Sequence, residues 1–324
     1  MSFTNSNGRP FRFAIMGAGH IAGKFAEAAR LAGAEVAAVA SKSHERAEAF
    51  AKAHDIPSFY DSYSQMLAEI RPDCVYIATT PHQHFALSAL CLDHRTPVLC
   101  EKAMFLSHQD AACIFSRSEA EGIFVMEAMW SKFLPALKQV KAWMDGGRIG
   151  RVTLVDFGIG FAAPGAPESR YFNPSLGGGA TSDITVYAYE ITRFLLGGSP
   201  DSVQLNAVWD YGVDVTDTAI LRFGETTALL KATLTAPIEE RLAVYGTAGK
   251  IVVPGPHYAS TATLFPTSGD AETFADTETK NGFVYEILET MRCIRAGLTE
   301  SPVHPHSETL ACAALFDQIN ALRG

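Results

Sequence analysis

No stretch of this 324-residue chain approaches the ~20 consecutive apolar residues that a membrane-spanning helix requires. Basic residues are outnumbered: 26 lysines and arginines stand against 35 aspartates and glutamates, a net charge of −9, which argues against nucleic acid as the main partner. The six cysteines form no Cys-x-x-Cys pair. Most lie in apolar stretches, so buried, reduced thiols and a cytoplasmic location are expected. The first ten residues are polar and offer no apolar segment for a secretion signal. A His-Glu-x-x-His helix is missing, and nothing completes a ligand set around His82 and His84 or around His304 and His306, so no metal is expected. The Gly-x-Ser-x-Gly elbow of serine hydrolases is also missing. Internal repeats and low-complexity tracts do not occur.

What remains is an ordinary globular composition, 48% hydrophobic and 19% charged, in a chain long enough for two cores. From residue 11 to Glu127 short apolar runs alternate with helical stretches. Ser43 and Ser107 read as helix N-caps, and Ser62 with Gln65 reads as a capping box. That rhythm predicts a doubly wound parallel sheet, a Rossmann-type α/β domain over residues 1–127. Beyond it the texture turns β-rich, with segments at 151–161, 202–210, 218–223, 227–235, 242–246 and 250–253. One helix interrupts them from Ala180 to Leu196, closed by Gly197-Gly198, and two more close the chain. Residues 128–324 therefore read as an α+β domain built on a large, mostly antiparallel, open-faced sheet.

Three stretches carry chemistry. Gly17-x-Gly19-x-x-Ala22 follows the first strand and opens a helix at His20 and Ile21. Such a turn presents free N–H groups to a dinucleotide's pyrophosphate. The second strand ends in Ser41-Lys42, with Arg46 one turn on, rather than in an acid. A hydroxyl and two cations suit a ribose 2′-phosphate, so NADP(H) is expected ahead of NAD(H). Glu101-Lys102 ends a strand of the parallel sheet, at the ligand-facing edge. Asp183 and Tyr187 lie four apart on a predicted helix after Gly177-Gly178-Gly179, a triplet that permits close backbone approach. A solvated lysine, a first-turn acid and a core tyrosine are the plain readings of the last three taken singly.

Taken in order, these residues resemble the Gfo/Idh/MocA oxidoreductase family, most closely its branch of dimeric dihydrodiol dehydrogenases and NADP-dependent xylose dehydrogenases. The carriers are residues 17–22, Glu101-Lys102, Glu127-Ala128-Met129-Trp130, Gly177 to Ala180 with Asp183 and Tyr187, Tyr245 to Gly249, and Tyr285-Glu286. The resemblance implies that Lys102 holds the substrate oxygen and the nicotinamide ribose, that Tyr187 is the acid/base, and that Asp183 orients the reacting hydroxyl. It implies that Thr79, Thr80 and His84 line the cofactor and that the β-rich sheet builds a dimer. A tyrosine phenol, with a reference pKa near ~10, needs a neighbouring ammonium to act as a base at neutral pH, a role open to Lys102. Trp130, Phe157, Phe283 and Arg170 are candidates to wall or grip the substrate. Ala103 replaces the family's usual proline after the lysine, and Thr185 stands where glycine is common.

The activity expected is hydride transfer between NADP and a secondary alcohol or carbonyl of a sugar, cyclic polyol or trans-dihydrodiol. Two other readings stand beside it: a cofactor-binding sensor without turnover, and an enzyme that cleaves a glycosidic bond through transient oxidation.

Overall fold

The computed structural model of the protein describes residues 9–165 and 169–323; residues 1–8, read above for a secretion signal, lie outside them. In chain order the strands are β1 (Arg12–Met16), β2 (Glu35–Ala40), β3 (Phe59–Tyr60), β4 (Cys74–Ile77), β5 (Val98–Glu101), β6 (Val125–Ala128), β7 (Val152–Gly160), β8 (Ser202–Asp210), β9 (Val213–Phe223), β10 (Thr226–Thr233), β11 (Arg241–Gly246), β12 (Gly249–Pro254), β13 (Thr261–Pro266) and β14 (Glu272–Ala275). The helices are α1 (His20–Leu31), α2 (His44–Ala53), α3 (Tyr63–Ile70), α4 (His84–Asp93), α5 (His108–Glu121), α6 (Pro135–Asp145), α7 (Val186–Leu196), α8 (Val284–Arg295) and α9 (His306–Asn320). Among the described residues no helix is long and apolar enough to cross a membrane.

The chain divides into two compact units. One runs to Trp130 and takes in Asn281–Leu310; the other holds Ser131–Lys280 and the residues from Ala311. The sequence reading assigned all of 128–324 to one domain, whereas α8 belongs with the parallel sheet, packed beside α1. The reason is a pattern that periodicity alone cannot show: the buried stripe of α8, including Ile287 and Met291, finds its partner far back in the chain.

The first unit is a six-stranded sheet in the order β3-β2-β1-β4-β5-β6, with every neighbouring pair parallel. Strands β4, β5 and β6 are buried at every position, as parallel strands covered on both faces must be. The serine caps form as expected: Ser43, Ser62 and Ser107 accept from the backbone N–H of Arg46, Gln65 and Asp110. The box at Ser62 is only half made, because the Gln65 amide donates to Glu69 instead of reaching back.

The second unit is built on an eight-stranded sheet, β14-β13-β12-β11-β7-β10-β9-β8, antiparallel except where β10 runs with β7. Along β8 exposure alternates residue by residue. On β9 the exposed positions Thr218, Ile220 and Arg222 share the face of Gln204, Asn206 and Val208, so one side of this edge is open. The expected strands are present, and β9 starts five residues earlier than the sequence suggested. Strands β13 and β14 were not anticipated: their short, threonine-rich segments acquire strand character by pairing outward from β12. Five of the cysteines are buried, Cys113 is exposed, and all six are free thiols.

Candidate active site

The loop after β1 is held open by geometry. Gly17 adopts φ +105°, and a Cβ there would sit 2.7 Å from the Ala78 carbonyl oxygen at the end of β4. Any larger residue would push the loop off the sheet. Gly17 N–H donates to Ala40 at the end of β2 (2.8 Å), which ties the loop to two strand ends. At Gly19, by contrast, a Cβ would meet nothing within 4 Å, and no side chain caps the start of α1. His20 is exposed and Ile21 half-buried around the same turn, while Ala22 is fully buried against the sheet. A loop with free space above its second glycine, at a helix start whose N–H groups no side chain claims, is the cradle a pyrophosphate needs.

Around that loop the cofactor candidates group as follows. Ser41 is buried; Lys42 and Arg46 are exposed at the same end of β2, and Arg46 reaches Ala18 O (3.5 Å) on the glycine loop. Thr79 and Thr80 follow β4 and are half-buried. Among the described residues the buried Thr79 Oγ1 has no hydrogen-bond partner, which fits a contact made by a bound group. His84 was expected to line the cofactor, but the structure buries it completely. Its Nδ1 faces Ala103 O (3.0 Å) and Met104 O (3.2 Å), and its Nε2 faces Thr79 O (3.0 Å). His84 is therefore a clamp joining the loops after β4 and β5. Burial lowers its pKa, against the three backbone carbonyl contacts, which raise it.

That clamp supports Lys102. The Lys102–Ala103 peptide bond is cis, although Ala103 is not proline. Lys102 itself is half-buried, and its backbone N–H donates to the Glu101 carboxyl (3.2 Å). Glu101 is buried beneath, hydrogen-bonded by the Tyr76 hydroxyl. Burial pushes its carboxyl up to about 7, against the Tyr76 bond and the Lys102 charge, which both pull it down. Behind it Glu286, on α8, is fully buried, and neither carboxyl oxygen has a hydrogen-bond partner among the described residues. Burial and then Glu101 drive its carboxyl well above the usual range. Glu127 anchors the next loop, accepting from Met104 N–H (2.9 Å) and Thr309 Oγ1 (2.7 Å). Trp130 and Phe283 stack on one another at 5.0 Å with planes 6° apart.

In the second unit the predicted Ala180–Leu196 helix is two pieces. Residues Thr181–Thr185 form a π-helical turn, and α7 follows from Val186 to its Gly197 cap. The glycine triplet has the role expected of it. A Cβ on Gly178 would lie 2.5 Å from Arg170 O, and one on Gly179, at φ +125°, would lie 2.2 Å from Asp214 Oδ1. Asp183 sits within the π-turn and receives Arg170 Nη1 at 3.1 Å. Arg170 also lies 4.1 Å over the Tyr171 ring, so the guanidinium is held by an acid through Nη1 and by an aromatic at its face.

Tyr187, in the first turn of α7, is 7% exposed. Its ring is 5.0 Å from that of His257, a residue sequence reasoning passed over. His257 Nδ1 is engaged by Glu240, and Ser131 Oγ donates to its carbonyl. Nothing in the spacing of 240 and 257 signals this dyad; the β11–β12 hairpin brings it together. Beneath Tyr187, α7 is anchored by a fully buried ion pair, Lys132 Nζ to Glu190 Oε2 at 3.0 Å. Phe157 is not a substrate wall: it is fully buried on β7, paired with Leu230 and Leu242 in the sheet. The histidines weighed as metal ligands make the following contacts, and His304 Nε2 also lies 3.5 Å from Glu127 Oε2. His82 Nδ1 faces Thr80 Oγ1 (3.0 Å), His304 faces Thr309 Oγ1 (3.2 Å), and His306 faces Val125 O (2.9 Å) and stacks on Phe115.

Comparison with known proteins agrees with this architecture. Residues 11–128 match the oxidoreductase family with an NAD-binding Rossmann fold, and residues 137–252 match the GFO/IDH/MocA C-terminal domain. The chain is 31% identical over 320 residues to a trans-1,2-dihydrobenzene-1,2-diol dehydrogenase of Danio rerio, covering 95% of each chain. It is 28% identical to the enzyme of that name in Homo sapiens, over 90% of this chain and 89% of that one. Among solved structures it is similar to the aldose-aldose oxidoreductase of Caulobacter crescentus (TM-score 0.87, 21% identity, 97% of each chain covered). A levoglucosan dehydrogenase in complex with NADH and levoglucosan gives the same TM-score at 18% identity and 97% coverage of each chain. The chain belongs to the Gfo/Idh/MocA family of NAD(P)-dependent oxidoreductases.

Proposed function

We propose that this chain is an NADP(H)-dependent dehydrogenase acting on a secondary alcohol of a sugar, cyclic polyol or trans-dihydrodiol, or reducing the matching carbonyl. The observation that carries this reading is the pairing of Asp183 and Tyr187 at the start of one helical segment, with Arg170 on the acid and His257 beside the phenol. A bound nicotinamide dinucleotide would accept or supply the hydride, held by the Gly17–Gly19 loop, Thr79 and Thr80. The chain's own residues handle the proton. Tyr187 takes it from the alcohol, Lys102 hydrogen-bonds the substrate oxygen and favours the phenolate, and Asp183 orients the hydroxyl. Trp130 and Phe283, stacked on each other, offer an apolar wall. Ser41, Lys42 and Arg46 at the end of β2 favour a 2′-phosphate, hence NADP. The open face of β8–β9, with Val208 51% and Ile220 45% exposed, suits a homodimer contact.

The test is a panel of aldoses, inositols and trans-dihydrodiols with NADP⁺ and with NAD⁺, read by nicotinamide fluorescence. Turnover on one class with NADP⁺ supports the assignment. Tight NADPH binding without turnover would make the protein a sensor. Sugar release with no net change in cofactor redox state would make it a glycosidase-type enzyme.

A further inference from the structure

Beneath the π-turn lie two carboxyls that the chemistry above does not use. Asp214 and Asp217, on the inward side of β9, are 5% and 2% exposed. Asp214 Oδ2 is 2.6 Å from Thr181 N and 2.7 Å from Thr181 Oγ1. Asp217 Oδ2 is 2.9 Å from the same Thr181 Oγ1 and 2.6 Å from Thr185 Oγ1. Thr181 and Thr185 are the first and last residues of the turn that carries Asp183.

Counting hydrogens decides the protonation state. The Thr181 hydroxyl carries one hydrogen but stands between two carboxyl oxygens. If both acids were ionised, that hydrogen could satisfy only one, and two buried negative charges would face each other. A single added proton completes a directed chain. Thr185 O–H donates to Asp217 Oδ2, the Asp217 O–H donates to Thr181 Oγ1, and Thr181 O–H donates to Asp214 Oδ2. Asp214 Oδ2 also accepts from Thr181 N–H. We propose that Asp214 and Asp217 share one proton, held on Asp217, and that this pair is the positioning device that fixes the π-turn and so aims Asp183.

Two observations support the placement. Asp217 Oδ1 is buried with no hydrogen-bond partner among the described residues, which a neutral acid tolerates far better than a carboxylate. Burial, and then the Asp214 charge, push the Asp217 carboxyl up to about 8; burial raises Asp214 as well, but there the two Thr181 bonds and the bond with Asp217 pull back down, which leaves the proton on Asp217. Gly179 shows how closely Asp214 is seated, since even a methyl group there would collide with its Oδ1. The cations on neighbouring elements are committed elsewhere. Arg170 holds Asp183, Lys231 of β10 holds Asp156 of β7 at 2.6 Å, Arg193 of α7 bonds Ser199, and Lys132 holds Glu190 of the same helix.

This role rests on the dehydrogenase reading only for its kinetic consequence; the proton itself is a property of the fold. Asp217→Asn tests both. The amide donates to Thr181 at every pH but cannot accept from Thr185 through the same atom. In the native enzyme kcat is expected to fall about tenfold one pH unit beyond about 8, while Asp217→Asn, several-fold slower at neutral pH, keeps its rate through that range. Asp214→Asn and Thr181→Val are expected to lower kcat at least tenfold at all pH with KM for the cofactor unchanged. An Asp217→Asn enzyme that retains the native alkaline fall would overturn the role. Denaturant unfolding between about pH 5 and about pH 7.5 checks the proton without any substrate. The native chain should bind one more proton on folding than Asp217→Asn, and equal proton counts would overturn the assignment. Should Asp217→Asn fail to fold, the ¹³C-carboxyl resonances of labelled native protein serve instead. One aspartate protonated at neutral pH is expected, and none would refute the shared proton.

Discussion

Arg170 Nη1 stands 3.1 Å from Asp183 Oδ1, an exposed guanidinium closing over a carboxylate that is 12% exposed. The pair converts Asp183 from a first-turn acid, useful only to a helix dipole, into a directed group. If Arg170 holds Asp183 for the substrate hydroxyl, Arg170→Met should reduce kcat about tenfold and Arg170→Lys less, with NADPH affinity unchanged. Steady-state kinetics beside a fluorescence binding titration would show it. A fall in cofactor affinity alone would place Arg170 on the nucleotide instead.

Lys102→Met and Tyr187→Phe each remove a proton-handling group while preserving bulk. Each should cut kcat by ~10²–10⁴ and leave NADPH affinity within a few-fold. Near-native turnover in either variant would refute the role given to that residue.

The end of β2 predicts cofactor choice. Lys42→Asp places an acid beside Ser41, where a 2′-phosphate would be repelled and a 2′-hydroxyl could be bonded. The kcat/KM ratio for NADP⁺ over NAD⁺ should drop at least tenfold. An unchanged ratio would mean that Lys42 is simply a solvated surface charge.

Glu101 gives a pH signature to the first unit. Its folded-state pKa, raised by burial to about 7, exceeds the unfolded value near ~4.3. The folded chain therefore keeps a proton that the unfolded chain releases, and this contribution to stability is lost as pH rises from about 4.3 through about 7. Glu101→Gln keeps a partner for the Tyr76 hydroxyl but removes the titration. Urea midpoints from about pH 5 to about pH 7.5 should decline less in Glu101→Gln than in the native protein. Parallel declines would show that Glu101 does not titrate in this window.

Much was legible in the chain itself, because some features are local. The Gly17 turn, the serine caps and the alternation of strand and helix are dictated by backbone sterics and short-range hydrogen bonds. So the parallel sheet and the family resemblance could be read directly, whereas the strand order came from the fold. Lys102, Asp183 and Tyr187 were recognised as an ordered set rather than from any one position. Other decisions needed distant segments to meet. His84 turned inward because three carbonyls, from Thr79, Ala103 and Met104, converge on its ring. Phe157 went to the core because β10 and β11 flank it. The π-turn is tied to the Asp214–Asp217 pair across 32 to 36 residues of chain, and the Glu240–His257 dyad is closed by the β11–β12 hairpin. Backbone sterics and short-range hydrogen bonds made the local choices legible; which distant side chains meet, and how deeply they are buried, was decided by tertiary packing, which only the assembled fold supplies.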